Sequence, residues 1–551
     1  MLGLMQHHPL LISSLITHAA KAHPHGEIVS RTIEGPLHRC TYVEIESRAR
    51  QVANLLTSLG VERGERVGSL AWNGYRHLEL VFGTSGMGAV LHTINPRLFP
   101  EQLEYIINHA QDQHLCFDVC FAPLVEKLAP QLSTVKSFIA MTDREHMPSA
   151  AAIPNLRCYE ELLARHEPLQ QWPRFEENLA SSLCYTSGTT GHPKGVLYSH
   201  RSTILHSMMG CTTDGFGLSA VDSVLLAAPM FHVNAWGMPY AAALCGASLL
   251  LPGPALDGAS IYKMMRDERA TCAAGVPTVW LMLQQYVEAQ SLEPRKDLVL
   301  NRLLTGGTSA PRSMVEKFER DYGARVLHAW GMTETSPIGT VCHPLKKHHD
   351  ATDTERIDLQ AKQGRAPFGV SLKIADEDGV ELPHDGMAAG HLLIRGHWIT
   401  SAYFRAEGGG TNLNDEGWFD TGDVATIDPD GYLQITDRAK DVIKSGGEWI
   451  SSIALENAAV GHPAVAEAAA IGIAHPKWQE RPLLVVVRKA GREVTRDELL
   501  AYLTPKVAKW WLPNDVVFVA ELPHTGTGKV QKKVLREMFK GYRFEADHGT
   551  P

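Results

Sequence analysis

Residues 183–196 form a segment whose side chains suit the binding of a polyphosphate. It begins with an apolar run and continues as YTSGTTGHPKG. Glycines let a backbone approach phosphate oxygens closely, while hydroxyls, amides and a lysine offer hydrogen-bond donors and positive charge. The lysine follows His-Pro and no helix-opening Lys-Ser/Thr pair comes after it, so this is not the GxxxxGK[ST] nucleotide loop. We therefore predict a different phosphate loop, made of Thr186, Ser187, Gly188, Thr189, Thr190, Gly191 and Lys194.

Further segments with chemically useful residues follow this loop. MFHVNAW places His232 and Trp236 four residues apart, so that both face one side if a helix begins there. GGTSAP begins at Gly306 as a glycine turn after an apolar strand, and WGMTE further on carries a carboxylate. WFDTGD ends in Asp423, an acceptor without donors, and HTGTGK ends in Lys529. Alone, each segment is compatible with an ordinary turn, a core aromatic or a solvated lysine.

In this order the segments resemble those of the acyl-adenylate-forming superfamily, which includes acyl-CoA synthetases, luciferases and nonribosomal peptide adenylation domains. The resemblance covers essentially the whole chain. It departs from the superfamily at Trp330, where a tyrosine is usual. This change should preserve stacking on adenine but removes a phenolic hydroxyl. The MFHVNAW and GGEWIS segments look most like the branch that activates medium- and long-chain fatty acids.

The resemblance implies that ATP, Mg²⁺ and coenzyme A are used, and it assigns roles to individual residues. The catalytic residues it implies are Lys529, Thr333, Glu334 and His232. Mg²⁺, which takes oxygen ligands, is assigned to Glu334 with Thr186 close by. Beside the phosphate loop, nucleotide and coenzyme A contacts fall on Gly307, Trp330, Gly331, Asp423, Arg438, Lys440, Lys444 and Trp449. The acid pocket falls on His232, Trp236 and Gly306, where Trp236 is either the gate of a fatty-acid tunnel or plain core packing.

The implied mechanism has two half-reactions with different needs. A carboxylate first attacks the α-phosphorus of ATP, so two anions must meet. Lys529 would stabilise the developing charge rather than act as a base, because a carboxylate is already ionised at neutral pH. A thiol must then reach the acyl carbon, where Lys529 is no longer needed. The resemblance therefore implies a mobile small domain and a hinge at Lys440.

Length and patterning predict an α/β protein of two domains. A chain of 551 residues is too long for one ordinary core. Apolar spacing predicts a helix from Tyr42 to Leu59, and similar helical segments alternate with short apolar strands over the large N-terminal part. After Thr411 short strands dominate, with Asp-Pro-Asp-Gly as a hairpin turn. We predict helix-flanked sheets in an N-terminal domain, residues 1–437, and a small α+β C-terminal domain, residues 438–551, joined by the hinge.

Composition narrows the class of partner. The formal net charge is −9 and basic residues are scattered, which argues against nucleic acid. Nine cysteines without metal-site spacing favour a reducing compartment, and we expect a cytoplasmic protein. The N-terminal stretch predicts a docked amphipathic helix, and the lack of a run of about 18 apolar residues argues against integral membrane association. The resemblance also allows a homodimer through the large domain.

The sequence leaves the acid open. The resemblance favours a medium- or long-chain fatty acid, but related enzymes also activate short acids such as methylthiopropionate, and aromatic acids are a third option. The reaction class also has alternatives. A luciferase-like oxygenase and a domain that loads acyl carrier proteins both form an acyl-adenylate, so the motifs alone do not exclude them. A non-catalytic nucleotide-binding protein is a further alternative, which the intact phosphate, ribose, metal and lysine positions disfavour.

Overall fold

The computed structural model describes residues 1, 3–149, 152–186, 192–406, 410–445, 448–524 and 530–544, without the side chains of residues 448 and 449. The strands, in chain order, are β1 (Glu27–Arg31), β2 (Leu37–Thr41), β3 (Arg66–Leu70), β4 (Val90–Thr93), β5 (Asp112–Phe117), β6 (Ser137–Ala140), β7 (Leu156–Cys158), β8 (Ala180–Tyr185), β9 (Gly195–Ser199), β10 (Ser223–Leu226), β11 (Ser248–Leu251), β12 (Cys272–Gly275), β13 (Arg302–Thr305), β14 (Arg325–Gly331), β15 (Ile338–Val341), β16 (Val370–Ala375), β17 (Gly390–Gly396), β18 (Phe419–Ile427), β19 (Leu433–Arg438), β20 (Ile443–Ser445), β21 (Glu448–Ile450), β22 (Val465–His475), β23 (Gln479–Arg488) and β24 (Asp515–Val519). The α-helices are α1 (Ile12–Ala22), α2 (Tyr42–Ser58), α3 (Tyr75–Gly86), α4 (Pro100–Ala110), α5 (Ala122–Leu128), α6 (Tyr159–Leu163), α7 (His200–Cys211), α8 (Val233–Trp236), α9 (Met238–Cys245), α10 (Gly258–Asp267), α11 (Pro277–Ala289), α12 (Pro294–Asp297), α13 (Arg312–Lys317), α14 (Asp353–Ala361), α15 (Ser452–Val460), α16 (Arg496–Leu503) and α17 (Lys532–Met538).

Two large and mostly parallel sheets dominate the N-terminal part. One has eight strands in the order β15-β14-β13-β12-β10-β11-β1-β2, and the other has seven in the order β7-β6-β5-β3-β4-β8-β9. Antiparallel pairing occurs where β15, β2 and β9 join the edges. Parallel strands require crossover helices, which explains the helix–strand alternation read from the sequence.

One hydrophobic cluster joins the two large sheets. It contains Leu91 of β4 and Leu304 of β13, together with the buried faces of α1, α2, α3 and α9. The amphipathic helix α1 buries Ile12, Leu15 and Ile16 in this cluster, as its spacing predicts. The sheets are thus held at a fixed separation, which sets the distance between motifs carried by each.

Two smaller sheets complete the described part of the chain. The strands β16 to β19 form an antiparallel sheet. The strands β20 to β24 form a mixed sheet, in which β23 and β24 pair in parallel and the other pairs are antiparallel. The turn between β18 and β19 is the predicted Asp-Pro-Asp-Gly hairpin, closed by a bond from the Gly431 N–H to the Asp428 carbonyl. Within the described ranges, every helix is too short or too polar to cross a membrane.

A buried charge cluster joins these two sheets near the predicted hinge. Lys532 of α17 lies 2.8 Å from the carboxylate of Glu456 on α15, and Ser452 donates a hydrogen bond to Asp437 at the end of β19. Burial opposes the charge of Lys532, but Glu456 and Asp437 outweigh it and raise the pKa of Lys532. Both carboxyl pKa values are raised by burial.

The predicted fold class is confirmed, since a large N-terminal α/β part precedes a small C-terminal one. The helix predicted from Tyr42 to Leu59 is observed as α2. It begins at a capping box of Thr41 and Glu44. The domain boundary at residue 437 stays a prediction: β19 of the third sheet ends at Arg438, and β20 of the fourth begins at Ile443.

Candidate active site

A cavity of about 560 Å³ lies beyond the carboxyl ends of β8, β13 and β14. Ligands of open α/β sheets bind at such strand ends, because the loops that follow the strands converge there. The cavity brings together these predicted residues: Thr186, Lys194, His232, Trp236, Gly306, Gly307, Trp330, Gly331, Thr333, Glu334, Arg438 and Lys440. Residues that the sequence places up to about half the chain apart therefore share one site.

The phosphate loop is closed at its base. The Thr186 N–H donates to the Lys194 carbonyl at 2.9 Å, and the Lys194 N–H donates to the Thr186 hydroxyl at 3.1 Å. These reciprocal bonds join Thr186 and Lys194, which both line the cavity. Its predicted members Ser187, Gly188, Thr189, Thr190 and Gly191 lie outside the described residues.

The WGMTE segment places a carboxylate on the cavity wall. Thr333 and Glu334 begin a single turn after β14, and both line the cavity while being largely buried. The Thr333 carbonyl accepts a bond from Tyr198 at 2.7 Å, and the carboxylate of Glu334 accepts one from Tyr403 at 2.6 Å. Gly331 is required by close packing, since an added Cβ would lie 1.7 Å from the Pro337 carbonyl oxygen.

The donor set at this wall suits Mg²⁺ but does not enclose it. Glu334 and Thr186 offer a carboxylate and a hydroxyl, which are oxygen donors of the kind that hard cations prefer. In the described part of the chain, no group of three or more His, Cys, Asp or Glu side chains is arranged to hold a metal. Mg²⁺ commonly keeps waters and takes phosphate ligands from its substrate, so this sparse set fits a nucleotide-bound ion.

Asp423 lies just behind the cavity wall and is nearly inaccessible. The Trp330 indole N–H donates to one of its oxygens at 3.0 Å, and Arg438 Nε lies 2.8 Å from the other. A carboxylate has about four lone-pair sites, so it can accept more than two hydrogen bonds. Thr421 and Gly422, beside Asp423, line the cavity directly.

Trp330 departs from the superfamily pattern in a way that the sequence could not explain. Its indole packs against Gly339, where an added Cβ would lie 2.3 Å from the ring. Its N–H, which a tyrosine lacks, is used to hold Asp423. The residue is therefore a partner of the predicted ribose-binding carboxylate, in addition to lining the cavity.

The segment after His232 forms a left-handed turn rather than the start of a right-handed helix. The φ angles of residues 233–236 lie between 48° and 60°, and Gly237 follows at 73°. Asn234 ties this turn to β8 through a 2.9 Å bond from its amide to the Ser182 hydroxyl. His232 and Trp236 still line the same cavity, so the expected common side is observed although the expected helix geometry is not.

One part of the cavity wall is apolar. Its side chains come from the cluster that joins the two large sheets: Phe216, Val233, Trp236, Leu304, Ala329 and Ile338. Another part of the wall is polar and carries the cations Lys194, Arg438 and Lys440. Burial lowers the pKa of Lys440, with Arg438 adding repulsion while Asp441 opposes the shift. The site thus combines a hydrocarbon-like surface with an anion-binding one.

Some predicted residues fall elsewhere. Lys444 is exposed on β20 and is not part of the cavity lining. The side chain of Trp449 and all of Lys529 lie outside the described residues, but Val530, next to Lys529, lines the cavity. Sequence reasoning missed Tyr403, because an aromatic residue in the loop after a strand carries no local signal of a carboxylate partner.

Comparison with known proteins covers nearly the whole chain. The family model described as AMP-binding enzyme matches residues 16–404, and its C-terminal domain model matches residues 454–529. The chain is 52% identical to 3-methylmercaptopropionyl-CoA ligase of Ruegeria lacuscaerulensis, covering 98% of this chain and 99% of the relative. It is 49% identical to medium-chain-fatty-acid–CoA ligase of Ectopseudomonas oleovorans, with 98% of each covered. It is 46% identical to long-chain-fatty-acid–CoA ligase of Thermus thermophilus, covering 98% of this chain and 97% of the relative.

Solved structures agree with the fold. The anthranilate CoA ligase AuaEII in complex with anthranoyl-AMP superposes with a TM-score of 0.84 at 24% identity, covering 97% of this chain and 98% of that one. ATP-bound MatB from Rhodopseudomonas palustris superposes with a TM-score of 0.80 at 26% identity, covering 96% and 99%.

Proposed function

We propose, on the premise that this chain belongs to the AMP-binding enzyme family, that it activates a medium- or long-chain fatty acid. The chain is an acyl-CoA ligase of the AMP-forming, acid–thiol class, and its substrates therefore include ATP and coenzyme A. What remains to be assigned is the acid and the role of each residue in the cavity.

The apolar wall is the observation that carries the choice of acid. Phe216, Val233, Trp236, Leu304, Ala329 and Ile338 offer neither charge nor a second carboxylate-binding group. Each methylene group that is buried contributes about 0.8 kcal/mol to the binding free energy, so such a wall favours the binding of an aliphatic chain. A medium-chain and a long-chain fatty-acid ligase among the similar proteins support the same choice.

A second candidate is 3-methylmercaptopropionate, and a specific observation favours it. Trp236 is only 8% exposed and sits in the left-handed turn, where its ring adds bulk to the apolar wall. If the ring closes the apolar part of the cavity, the space for the acid is shortened, and this suits a short thioether acid. The 3-methylmercaptopropionyl-CoA ligase that is 52% identical supports this reading.

In the proposed mechanism the polar wall holds ATP. Lys194 and the phosphate loop bind the phosphates, and Asp423 accepts hydrogen bonds from the ribose while Trp330 and Arg438 hold it in place. Mg²⁺, held by Glu334 with Thr186 close by, would neutralise phosphate charge. Lys529 stabilises the charge that develops as the acid carboxylate attacks the α-phosphorus and pyrophosphate leaves. The position of Val530 on the cavity wall supports an approach of Lys529 to this point.

The second half-reaction requires the small domain to move. Coenzyme A attacks the acyl carbon of the adenylate, and AMP leaves as the thioester forms. Lys444 does not line the cavity in this arrangement, and the side chain of Trp449 lies outside the described residues. Both are proposed to reach the cavity after rotation at Lys440.

The test is a substrate profile of the purified enzyme. Pyrophosphate release and CoA-thioester yield are measured with straight-chain acids from propionate to palmitate, together with 3-methylmercaptopropionate and cinnamate. A maximum at medium or long chains supports the proposal, and Trp236→Ala should then shift the maximum towards longer acids. A maximum at 3-methylmercaptopropionate selects the second candidate, and a maximum at cinnamate refutes both. The same assay with luciferin and light detection excludes or reveals oxygenase activity.

A further inference from the structure

A short stretch of chain, residues 400–404, connects two motifs that line the cavity, the WGMTE segment and the end of the phosphate loop. The Thr400 N–H donates to the Glu334 carbonyl at 2.8 Å, and the Phe404 N–H donates to the Gly195 carbonyl at 2.8 Å. One end of this bridging segment therefore holds the acidic motif, and the other holds the end of the phosphate loop. Neither motif was linked to this segment by the sequence.

Tyr403 of the bridging segment contacts the charged group of each motif. Its hydroxyl donates to Glu334 Oε1 at 2.6 Å, and Lys194 Nζ lies 4.7 Å from the centre of its ring. The ring lines the cavity and packs edge-to-face on Phe419, with 6.3 Å between the ring centres. A phenol in this position touches a carboxylate through its edge and an ammonium through its face.

The chemistry of the Tyr403 side chain makes its hydroxyl a donor. An ionised carboxylate has no hydrogen to donate, so in the bond between Tyr403 and Glu334 the phenol must supply the hydrogen. Hydrogen bonds to charged acceptors are among the stronger ones in proteins, and cation–π contacts are favourable near the surface.

We propose that Tyr403 is a positioning residue for the nucleotide and its metal. By holding one oxygen of Glu334 it limits the rotation of the carboxylate, which would then hold Mg²⁺ in a defined orientation. Its ring lies against the Lys194 ammonium, which would be held where the phosphates bind. The inference rests on the proposed function, in that this cavity binds ATP. It assigns separate tasks to the hydroxyl and to the ring.

Two substitutions separate these tasks. Tyr403→Phe removes the hydroxyl but keeps the ring beside Lys194 and Phe419, whereas Tyr403→Leu removes both. Tyr262→Phe is the matched control, because the Tyr262 hydroxyl donates to the Asp297 carboxylate at the same distance of 2.6 Å but lies outside the cavity. A general effect of losing a tyrosine–carboxylate bond would appear in the control as well.

The measurement is calorimetric binding of α,β-methylene-ATP, with and without a series of Mg²⁺ concentrations. Tyr403→Phe should raise the Mg²⁺ concentration for half-maximal binding by about tenfold or more, as expected for one hydrogen bond to a charged group. It should leave the metal-free affinity for the analogue unchanged. Tyr403→Leu should in addition weaken metal-free binding by about threefold or more, because the ring contact of Lys194 is lost. KM for the acid should change in neither variant.

The outcomes separate this inference from the proposed function. Wild-type Mg²⁺ dependence in Tyr403→Phe, or an equal shift in Tyr262→Phe, overturns the positioning role while leaving the ligase intact. If wild-type enzyme activates no acid of the panel, the substrate proposal fails, but the binding titration still decides the role of Tyr403. Failure of the wild-type protein to bind the analogue overturns both.

Discussion

Replacement of Trp330 by phenylalanine tests whether its indole N–H positions the predicted ribose-binding carboxylate. The variant keeps an aromatic ring on the cavity wall but removes the donor that lies 3.0 Å from Asp423. A hydrogen bond to a charged acceptor contributes ~1.5–3 kcal/mol. Because Arg438 still holds the other oxygen at 2.8 Å, we expect the lower value. About 1.5 kcal/mol corresponds to a roughly tenfold weaker binding of ATP.

The assay compares ATP with 2′,3′-dideoxy-ATP in both proteins. If Asp423 binds the ribose, wild-type enzyme prefers ATP, and Trp330→Phe should lose about tenfold of this preference. KM for the acid should be unchanged, since Trp330 belongs to a different hydrophobic cluster from Trp236. The control is Trp280→Phe, which removes an indole bond to the Gly275 carbonyl in a core away from the cavity.

Both substitutions remove part of a buried ring and should lower thermal stability. Only Trp330→Phe should change discrimination between the two nucleotides. If it loses stability like the control but keeps the wild-type preference for ATP, the indole N–H does not position Asp423, and the usual tyrosine would serve equally well.

Three further predictions concern catalysis and stability. Lys529→Ala should abolish adenylation in a pyrophosphate assay but largely keep thioester formation from presynthesised acyl-adenylate; equal loss of both, or a similar loss in the exposed neighbour variant Lys533→Ala, contradicts this. Lys532→Met leaves the carboxylates of the buried cluster unpaired and should lower the free energy of unfolding in urea by ~3–5 kcal/mol at pH 7, with a smaller loss at acidic pH where Glu456 is protonated. Burial lowers the pKa of His206 to about 3, well below its unfolded pKa of about 6.5. Between these two values only the unfolded chain binds a proton at His206. The free energy of unfolding therefore decreases as the pH falls through this range. His206→Gln should reduce this dependence by about 1.4 kcal/mol per pH unit between pH 6 and pH 4 in urea unfolding, and an unchanged slope would show that His206 titrates normally.

Local patterns predicted much of the fold because their causes are local. The helix α2 is defined by apolar spacing and by the Thr41 cap, and the β18–β19 hairpin by its turn residues. The resemblance of the motifs to those of the superfamily also implied that they share one site, and in the structure the loops after strands of the two large sheets line one cavity. The cavity contains Thr186 from a loop of the seven-stranded sheet, and Gly306 and Glu334 from loops of the eight-stranded sheet.

Contacts between distant residues escaped prediction. Tyr403 meets Glu334 across 69 positions of sequence, and Trp330 meets Asp423 across 93. A pattern of residue types cannot specify such pairs, because each depends on how separate sheets pack. The same limit applies to Lys444, whose place outside the cavity depends on the arrangement of the small domain.

The left-handed turn at residues 233–236 is the part of the site that local sequence opposes most directly. Left-handed geometry costs roughly 1–2 kcal/mol for each residue other than glycine, so the turn needs compensation from its surroundings. Asn234 donates to Ser182, and the side-chain amide of Asn73 bonds three backbone groups of residues 226–230 just before the turn. Each of these bonds contributes about 1 kcal/mol, which together approaches the cost. The position of Trp236 is therefore set by partners on the seven-stranded sheet, and the length of acid that fits depends on the packing of the two sheets as well as on the size of that side chain.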